Sequence, residues 1–296
     1  MTTKKSLYLI YNPKAGGRHR DKLDALVDLA QDHDFTVTLA KTEQAGHATT
    51  LAGSDAADAA HRLIVAGGDG TVNEVINGLT EDSPPIGFAP FGTANVLAHE
   101  LNYPKGFKAR AKSILTGKVR PVRLASANKR AFMLMASVGL DAYAVAGVDS
   151  KVKDKIGPLA YIVSGMKALS LYFSGKLKYR VRLDDDARVY EPVTVIVTRA
   201  KKYGGPFTIA SEAGLDQNDL YVVMFMKGGL VALLQYAWGI LTSRLDHQPP
   251  IVIRKASRVE IDSDHADPVQ VDGDDAGTLP LSVTMTDQQV GLVWPS

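Results

Sequence analysis

Short apolar runs alternate with helical patterns over roughly the first 120 residues of the chain. Four runs have the length and composition of buried strands: SLYLIY (6–11), FTVTLA (35–40), RLIVAG (62–67) and PIGFAP (85–90). The spacing of one helix face follows the first run at Leu23, Leu26, Val27 and Ala30, and the third run at Val72, Val75, Ile76 and Leu79. Strands that alternate with helices predict a doubly wound α/β domain with a parallel sheet.

Beyond that point the pattern changes, and β-rich segments predominate up to PLSVTMTD near the C-terminus. Several of them alternate apolar with polar residues, which is typical of half-exposed antiparallel strands. Two helical candidates, at 154–174 and 229–243, interrupt them. We therefore predict an α/β domain over 1–121 and a β-rich sandwich domain over 122–296. The sequence does not decide whether the last residues, VGLVWPS, pack back on the first domain.

Composition excludes several classes of protein. The chain has no cysteine, which excludes disulfides and thiolate chemistry and favours a reducing, cytoplasmic compartment. A net charge of +2 is too small to argue for nucleic acid as a partner. The longest apolar stretch, GGLVALLQYAWGILTSRL (228–245), contains Gln235 and falls short of about 18 uninterrupted apolar residues. We expect no transmembrane segment.

The stretch IVAGGDGTVNEVINGL (64–79) joins a predicted strand to a predicted helix through three glycines and an aspartate. Thr71 with Glu74 three residues later matches a capping box, which predicts Thr71 as the N-cap of the helix. The backbone N–H groups of residues 68–72 would then converge at a helix N-terminus, where anions bind. An ordinary tight turn between strand and helix is the alternative.

Asp69 narrows the choice of ligand for this loop. The chain lacks the P-loop pattern, and Asn73 stands where a dinucleotide-binding loop has its third glycine. A carboxylate close to a polyphosphate is repulsive unless a divalent cation lies between the two. The loop therefore predicts a metal–nucleotide complex, most simply Mg-ATP, with Asp69 holding or organising the metal.

Two other predicted strands end in similar turns. In YNPKAGG, Asn12 supplies a polar group, Lys14 supplies positive charge, and the glycines at 16–17 permit close backbone approach. In PFGTANVLAHEL, Gly92 precedes Thr93, which we expect to be a second N-cap. Parallel strands bring these turns to one edge of the sheet, where open α/β folds bind ligands. We therefore predict a site for a phosphate-bearing ligand at that edge.

These motifs in this order, together with ASVGLDAYAV (136–145) and VQVDGDDAG (269–277), resemble the catalytic region of diacylglycerol kinases and related lipid kinases. The bacterial, YegS-like members are similar in length, and the resemblance covers nearly the whole chain. The GGDGT core alone is shared with NAD kinases. The resemblance implies an NAD kinase/diacylglycerol kinase-like fold: an N-terminal doubly wound α/β domain with a C-terminal β-sandwich domain that receives the lipid.

The resemblance further implies transfer of the γ-phosphate of Mg-ATP to a lipid hydroxyl, of diacylglycerol or a related lipid alcohol. NAD kinase and a non-catalytic nucleotide-sensing relative are the alternatives. By resemblance, the residues that line the nucleotide are Asn12, Lys14, Thr42, Gly67, Gly68, Asp69, Gly70, Thr71, Val72, Asn73 and Thr93.

For the second domain, the resemblance implies a general base in the VDGDD segment. Relatives read DGE there, and Asp274 stands in place of the glutamate, with Asp275 as a competing candidate. Taken without the resemblance, the Asp-Gly pair indicates a hairpin turn. Asp141 is a candidate member of a carboxylate network, although a lone aspartate after a glycine is more often a turn residue.

Many bacterial relatives carry a structural Mg²⁺ in an Asp-Asp-Gly segment before a strand. The corresponding stretch here, AGLDQNDLYVV, has Gln217 and Asn218 where aspartate and glycine would stand. Asp216 or Asp219 could replace them through a register shift, so Asp216 is the candidate ligand of a structural metal.

A lipid substrate requires contact with a membrane. The stretch at 157–180 combines large apolar residues with Lys167, Lys176, Lys178 and Arg180, which is typical of an interfacial segment. A helix buried on one face would give the same pattern. Either interpretation favours peripheral association with the inner membrane surface, and the sequence leaves a homodimer open.

Overall fold

The computed structural model describes residues 5–15, 20–146 and 168–295. The chain divides into two compact units. Unit 1 comprises Met1–Leu124 and Asp287–Ser296, and unit 2 comprises Ala125–Thr286. The last residues of the chain thus group with the N-terminal unit.

Unit 1 alternates strands with helices in the order that the sequence predicts. Its first elements, in chain order, are β1 (Lys5–Tyr11), α1 (Arg20–Asp32), β2 (Phe35–Lys41), α2 (His47–Ala52), α3 (Asp55–Asp58), β3 (Arg62–Gly67), α4 (Asp69–Ile76), β4 (Ile86–Pro90), α5 (Val96–Glu100) and α6 (Phe107–Thr116). The strand β5 (Lys118–Ala127) then leads from unit 1 into unit 2.

The sheet of unit 1 has the strand order β2-β1-β3-β4, and neighbouring strands are parallel. The strands all run in one direction, but the order in which the chain adds them reverses at β1, because β2 lies on one side of β1 and β3 on the other. This is the switch point at which open α/β sheets bind ligands. The doubly wound α/β fold is confirmed.

Helix faces in unit 1 follow the predicted spacing with one exception. Leu23, Leu26 and Ala30 of α1 are fully buried. In α4, however, the helix ends at Ile76, so Leu79 lies outside it, contrary to the prediction. A Cβ at Gly78 would lie 2.0 Å from the carbonyl oxygen of Thr49, so close packing against α2 ends the helix.

Unit 2 is β-rich. Its described elements are β6 (Arg130–Phe132), β7 (Met135–Val138), α7 (Leu140–Ala146), a helical segment at 168–173, β8 (Arg180–Leu183), β9 (Thr194–Thr198), β10 (Lys202–Tyr203), β11 (Phe207–Thr208), β12 (Leu220–Phe225), α8 (Leu230–Leu241), a 3₁₀ turn (Leu245–His247), β13 (Ile251–Ala256), β14 (Arg258–Asp262), β15 (Pro268–Val271), β16 (Asp274–Thr278) and the first residues of β17 (Leu281–Trp294), whose remainder belongs to unit 1. The predicted helix at 229–243 is confirmed as α8, and most of the predicted helix at 154–174 lies outside the described residues.

Two antiparallel layers form this unit. One sheet has the order β13-β12-β9-β7-β15-β16, and in the other β14 lies between β8 and β17. Val197 and Val222 of the first layer and Val259 and Val283 of the second belong to one buried cluster. The predicted β-sandwich is confirmed. Among the described residues, no helix is both long and apolar enough to cross a bilayer.

Candidate active site

Asn12 and Thr71 meet at the switch point of the unit 1 sheet. Asn12 directly follows β1, and Thr71 lies in the first turn of α4, which follows β3. The Asn12 side-chain amide donates to Thr71 Oγ1 at 3.2 Å, while its Oδ1 accepts from the backbone N–H of Lys14 at 2.9 Å. The structure thus brings together the ends of β1 and β3, which the sequence placed at one edge.

Glycines at this edge allow backbones to approach each other. A Cβ on Gly67 would lie 2.6 Å from Thr71 Oγ1, and a Cβ on Gly92 would lie 2.7 Å from the Cα of Gly68. Gly68 has extended backbone with φ −102°, so these glycines serve close approach rather than a left-handed turn. Any larger residue would fill the space beside the first turn of α4.

The cap of α4 differs from the prediction. The helix begins at Asp69 with Gly68 as N-cap, and no side chain caps it, so Thr71 is a first-turn residue. Glu74 does not close a capping box either, because its Oε2 accepts from the backbone N–H of Ala48 in α2 at 3.1 Å. Gly68 has no side chain that could cap the first turn of α4, and a helix N-terminus suits an anionic ligand.

Asp69 has a structural partner that the sequence did not reveal. Its Oδ2 accepts from Val96 N–H at 2.9 Å and its Oδ1 from Leu97 N–H at 3.1 Å. The carboxylate therefore caps the start of α5. The prediction that Thr93 is the N-cap of this helix is wrong: Thr93 is exposed, and Asn95, with φ 45°, occupies that position.

The remaining predicted nucleotide residues lie around the same edge of unit 1. Thr42 follows β2, is buried, and donates its N–H to the carbonyl of Tyr11 at 2.9 Å. Val72 and Asn73 are buried within α4, and Lys14 is exposed. The glycines at 16–17 lie outside the described residues.

In unit 2, the VDGDD segment forms a two-residue hairpin between β15 and β16. Val271 pairs with Asp274, and the loop residues Asp272 and Gly273 have φ 48° and 91°. Positive φ at both positions is the signature of a type I′ turn, for which Asp-Gly is a preferred sequence. The hairpin interpretation is confirmed, and it places Asp274 directly after the turn.

Asp272 holds this hairpin in place. It is buried, and its carboxylate accepts three backbone hydrogen bonds of 2.9–3.0 Å, from the N–H groups of Met133, Leu134 and Met135. Three amide donors satisfy a buried carboxylate that would otherwise be costly to desolvate. The turn is thus anchored to the segment that leads into β7.

Asp274 and Asp275 differ in their surroundings. Asp274 Oδ2 lies 3.3 Å from Nη2 of Arg130, and its side chain is 45% exposed. Asp275 instead accepts the N–H of Gly277 at 3.0 Å, which is a local turn contact. The Arg130 contact fixes the position of the Asp274 carboxylate, whereas the Asp275 carboxylate bonds within its own turn, so Asp274 is the candidate base whose orientation is set from outside the hairpin.

Asp141 lies at the centre of a polar network. Its carboxylate accepts from Ser137 Oγ at 2.6 Å, Tyr203 OH at 2.7 Å and Gln270 Nε2 at 2.8 Å. The other end of Gln270 accepts the N–H of Gly273 in the hairpin at 2.8 Å. Burial raises the pKa of Tyr203 well above its usual value, and the Asp141 carboxylate adds to the rise. The network joins Asp141 to the turn that carries Asp274.

The two candidate ligands of a structural Mg²⁺ lie in the loop that precedes β12. Asp216 is exposed, and Asp219 pairs with Lys255 at 3.6 Å. The described part of the chain contains no group of three His, Cys, Asp or Glu side chains that could hold a metal ion. Gln217 has its own partners, since its Nε2 donates to the carbonyl of Glu212 and its Oε1 accepts from Tyr221 OH.

A buried arginine, Arg199, contacts the same loop. Arg199 is fully buried, and its Nη2 donates to the carbonyls of Leu215 at 3.3 Å and Gln217 at 2.8 Å. These charge-assisted hydrogen bonds hold the loop at 215–217. In sequence, Arg199 is the arginine of TRAKK (198–202) and looks like a surface residue, so only its position at the end of the apolar strand β9 could have marked it.

Two segments of the chain match domain models. Residues 6–127 match the diacylglycerol kinase catalytic domain, and residues 135–294 match the YegS C-terminal NAD kinase beta sandwich-like domain. The chain belongs to the diacylglycerol kinase family. The two matches lie mainly in unit 1 and unit 2, respectively, so this family member carries both the catalytic and the sandwich domain, and it is an ATP-dependent lipid kinase.

Named relatives match this kinase over nearly its whole length. The diacylglycerol kinase of Bacillus subtilis (strain 168) is 30% identical over 97% of this chain and 95% of its own. The diacylglycerol kinase of Staphylococcus carnosus (strain TM300) is 29% identical over 99% and 96%. A crystal structure from Bacillus anthracis (strain Sterne), whose description assigns it to the diacylglycerol kinases, has a TM-score of 0.80 and 25% identity over 99% of this chain and 96% of its own.

Proposed function

We propose that the kinase transfers the γ-phosphate of Mg-ATP to the hydroxyl of a lipid alcohol, and that diacylglycerol is the first acceptor to test. The observation that carries this proposal is the contact between Asn12 and Thr71 beside the closely approaching glycines 68 and 92. This contact lies at the N-terminus of α4, next to the switch point, and such a position is suited to a polyphosphate.

In this proposal unit 1 binds the nucleotide. The first-turn amides of α4 donate to phosphate oxygens, Lys14 supplies positive charge, and Asn12 fixes the side chain of Thr71. The other residues assigned to the nucleotide are Thr42, Gly67, Gly68, Asp69, Gly70, Val72, Asn73 and Thr93. Mg²⁺ enters as part of the substrate, with phosphate oxygens as its ligands.

Unit 2 activates the acceptor. Asp274 accepts the proton of the lipid hydroxyl as the hydroxyl oxygen bonds to the γ-phosphorus. The bond between that phosphorus and the oxygen it shares with the β-phosphate breaks, and ADP leaves. Arg130 orients the Asp274 carboxylate, while Gln270 holds the Gly273 turn to Asp141. The domain roles, nucleotide binding in unit 1 and lipid binding in unit 2, follow from this assignment.

A lipid acceptor brings the kinase to a membrane surface, and we propose peripheral association. Part of the interfacial segment predicted at 157–180 lies outside the described residues. Within the described part, Phe173 is 49% exposed and precedes the basic residues Lys176 and Lys178. An exposed aromatic residue followed by lysines suits the headgroup region of an anionic bilayer.

The test is an assay with ATP labelled at the γ-phosphate against diacylglycerol, monoacylglycerol, a sphingoid base, phosphatidylglycerol and NAD. We expect label in a lipid, with diacylglycerol as the best acceptor. Label in NAD would overturn the lipid assignment in favour of an NAD kinase. Nucleotide binding without transfer to any acceptor would instead indicate a nucleotide-sensing protein.

A further inference from the structure

Helix α8 turns its large apolar side chains away from the protein. Five of them are 60–71% exposed: Leu230, Val231, Leu234, Trp238 and Leu241. The buried positions of the same helix are Ala232, Tyr236 and Gly239. This is the reverse of an ordinary surface helix, whose large apolar residues face the core.

The exposed residues form one continuous stripe. At 3.6 residues per turn they fall within about 100° of the helix circumference, and the three buried residues lie on the opposite side. Contiguous apolar surface of this kind marks a site of interaction, whereas single exposed apolar residues do not. The stripe spans all three turns of the helix.

Specific contacts fix the helix with this stripe outward. Tyr236 OH donates to the carbonyl of Lys227 at 2.9 Å, and its ring packs edge-on against Phe225 with 4.8 Å between centroids. A Cβ on Gly239 would lie 3.0 Å from the Cα of Leu245, so the helix backbone packs tightly against the 3₁₀ turn. Rotating the helix to bury the leucines would break these contacts.

Within the segment 227–245, which contains α8, both charged residues are positive. The helix itself carries no charged residue, and exposed Lys227 and Arg244 precede and follow it. No Asp or Glu lies between residues 227 and 245, and Asp246 beyond them accepts a hydrogen bond from Ser211. An apolar stripe with a tryptophan and basic residues at its ends complements an anionic bilayer surface.

Length excludes a spanning role. A helix of 12 residues is about 18 Å long, against about 30 Å for the hydrocarbon core of a bilayer. We propose that α8 lies in the plane of an anionic phospholipid bilayer, with Leu230, Leu234, Trp238 and Leu241 among the acyl chains. This proposal rests on the proposed function, because membrane binding would bring the kinase to the bilayer that contains its lipid acceptor.

The first experiment compares two double variants in flotation with vesicles of three parts phosphatidylcholine to one part phosphatidylglycerol. Leu234→Gln/Trp238→Gln is expected to weaken vesicle binding at least about tenfold. The control, Leu39→Gln/Val189→Gln, removes two apolar residues that are 48% and 42% exposed elsewhere, and it should bind as the wild type does. Equal binding by both variants and the wild type would overturn the proposal.

A second experiment tests the basic ends. Lys227→Gln/Arg244→Gln should lower affinity for the anionic vesicles by about fivefold per charge removed, with little change on pure phosphatidylcholine. An unchanged preference for anionic vesicles would contradict the assignment of the partner.

Tryptophan fluorescence tests insertion directly. The chain has two tryptophans, so Trp294→Phe leaves Trp238 as the reporter. We expect a blue shift of its emission with vesicles and quenching by lipids brominated on the acyl chain. Emission that stays solvent-like in the presence of bound vesicles would overturn the proposal. A second result would also overturn it: the wild type is a dimer, Leu234→Gln/Trp238→Gln converts it to a monomer, and vesicle binding does not change. The stripe would then be an interface between copies of the chain.

The proposed function is tested separately, by measuring phosphorylation of dispersed dioctanoylglycerol without vesicles. The helix variant should phosphorylate this acceptor at the wild-type rate while it loses activity on vesicle-borne diacylglycerol. If the wild type phosphorylates no lipid in either form, the proposed function fails whatever the vesicles bind. If the variant phosphorylates vesicle-borne diacylglycerol as fast as the wild type does, the proposed function stands and the role of α8 is refuted.

Discussion

Asp69 at the start of α4 caps Val96 at the start of α5, with a 2.9 Å hydrogen bond that joins residues 27 positions apart. The same carboxylate binds the neighbouring N–H of Leu97, so two backbone donors balance its charge. The aspartate in the glycine loop therefore has an explanation in the fold that needs no metal. Its role toward Mg-ATP stays a prediction, and the two roles have different consequences.

Asp69→Ala is expected to abolish phosphoryl transfer and to lower the free energy of unfolding by about 1–2 kcal/mol, because the α5 amides lose their cap. Urea unfolding measures the second effect. ADP titrations with and without Mg²⁺ separate the roles: a lost cap weakens binding equally in both, whereas a lost metal contact weakens only the Mg²⁺ form. A transfer rate within about twofold of the wild type would show that neither role serves catalysis.

Asp274→Asn should lower kcat by about 100-fold or more with little change in KM for ATP, because the variant cannot take the hydroxyl proton. Its side chain is 45% exposed, so stability should change little. Asp275→Asn is the matched control, since its carboxylate contacts only the local turn among the hydrogen bonds described above. If Asp275→Asn is the inactive variant instead, the base has been assigned to the wrong aspartate.

Arg199→Met is expected to cost about 2–5 kcal/mol of unfolding free energy, because the carbonyls of Leu215 and Gln217 lose a buried charged donor. Lys255→Met, which breaks an exposed pair with Asp219, should cost less than about 1 kcal/mol. Chemical denaturation measures both. Chelation of divalent cations should leave the thermal midpoint of the wild type unchanged in the absence of nucleotide, and a clear fall on chelation would reveal a structural metal.

We expect the free energy of unfolding to fall in alkali because of the buried hydroxyl of Tyr203. Burial and then Asp141 raise the pKa of Tyr203 in the folded state well above the ordinary value of 10.0. A group whose folded pKa is raised contributes stability that is fully present below pH 10 and is lost as pH rises toward the folded pKa. Between pH 10 and 11, the unfolding free energy of the wild type should therefore fall more steeply than that of Tyr203→Phe. Parallel slopes would contradict the placement of this hydroxyl.

Much of the fold could be predicted from the sequence because its signals are local. The run RLIVAG coincides with β3, and the Asp-Gly pair of VDGDD forms the hairpin that its dihedral preferences dictate. Caps were less predictable. Thr71 fits a capping pattern, yet the close contact that Gly67 permits draws it into the first turn of α4.

The unpredicted parts of the site depend on contacts between distant residues. Nothing near Asp69 in sequence indicates that its partners are Val96 and Leu97. Gln270 likewise reads as an ordinary strand residue until β15 pairs with β7 and brings it to Ser137 and Asp141. Pair formation across a sheet depends on register, which a single sequence specifies only weakly.

The long final strand, β17, has a consequence for how the chain reaches its native state. It begins at Leu281 in unit 2 and ends at Trp294 in unit 1, where Leu292 lies beside Ile86 of β4. During synthesis, the edge of the unit 1 sheet at β4 therefore stays uncovered until β17 has been made, after the rest of unit 2. The unit that is made first is therefore completed only after unit 2, so loss of residues 287–294 would damage unit 1 rather than the unit that immediately precedes those residues in the chain.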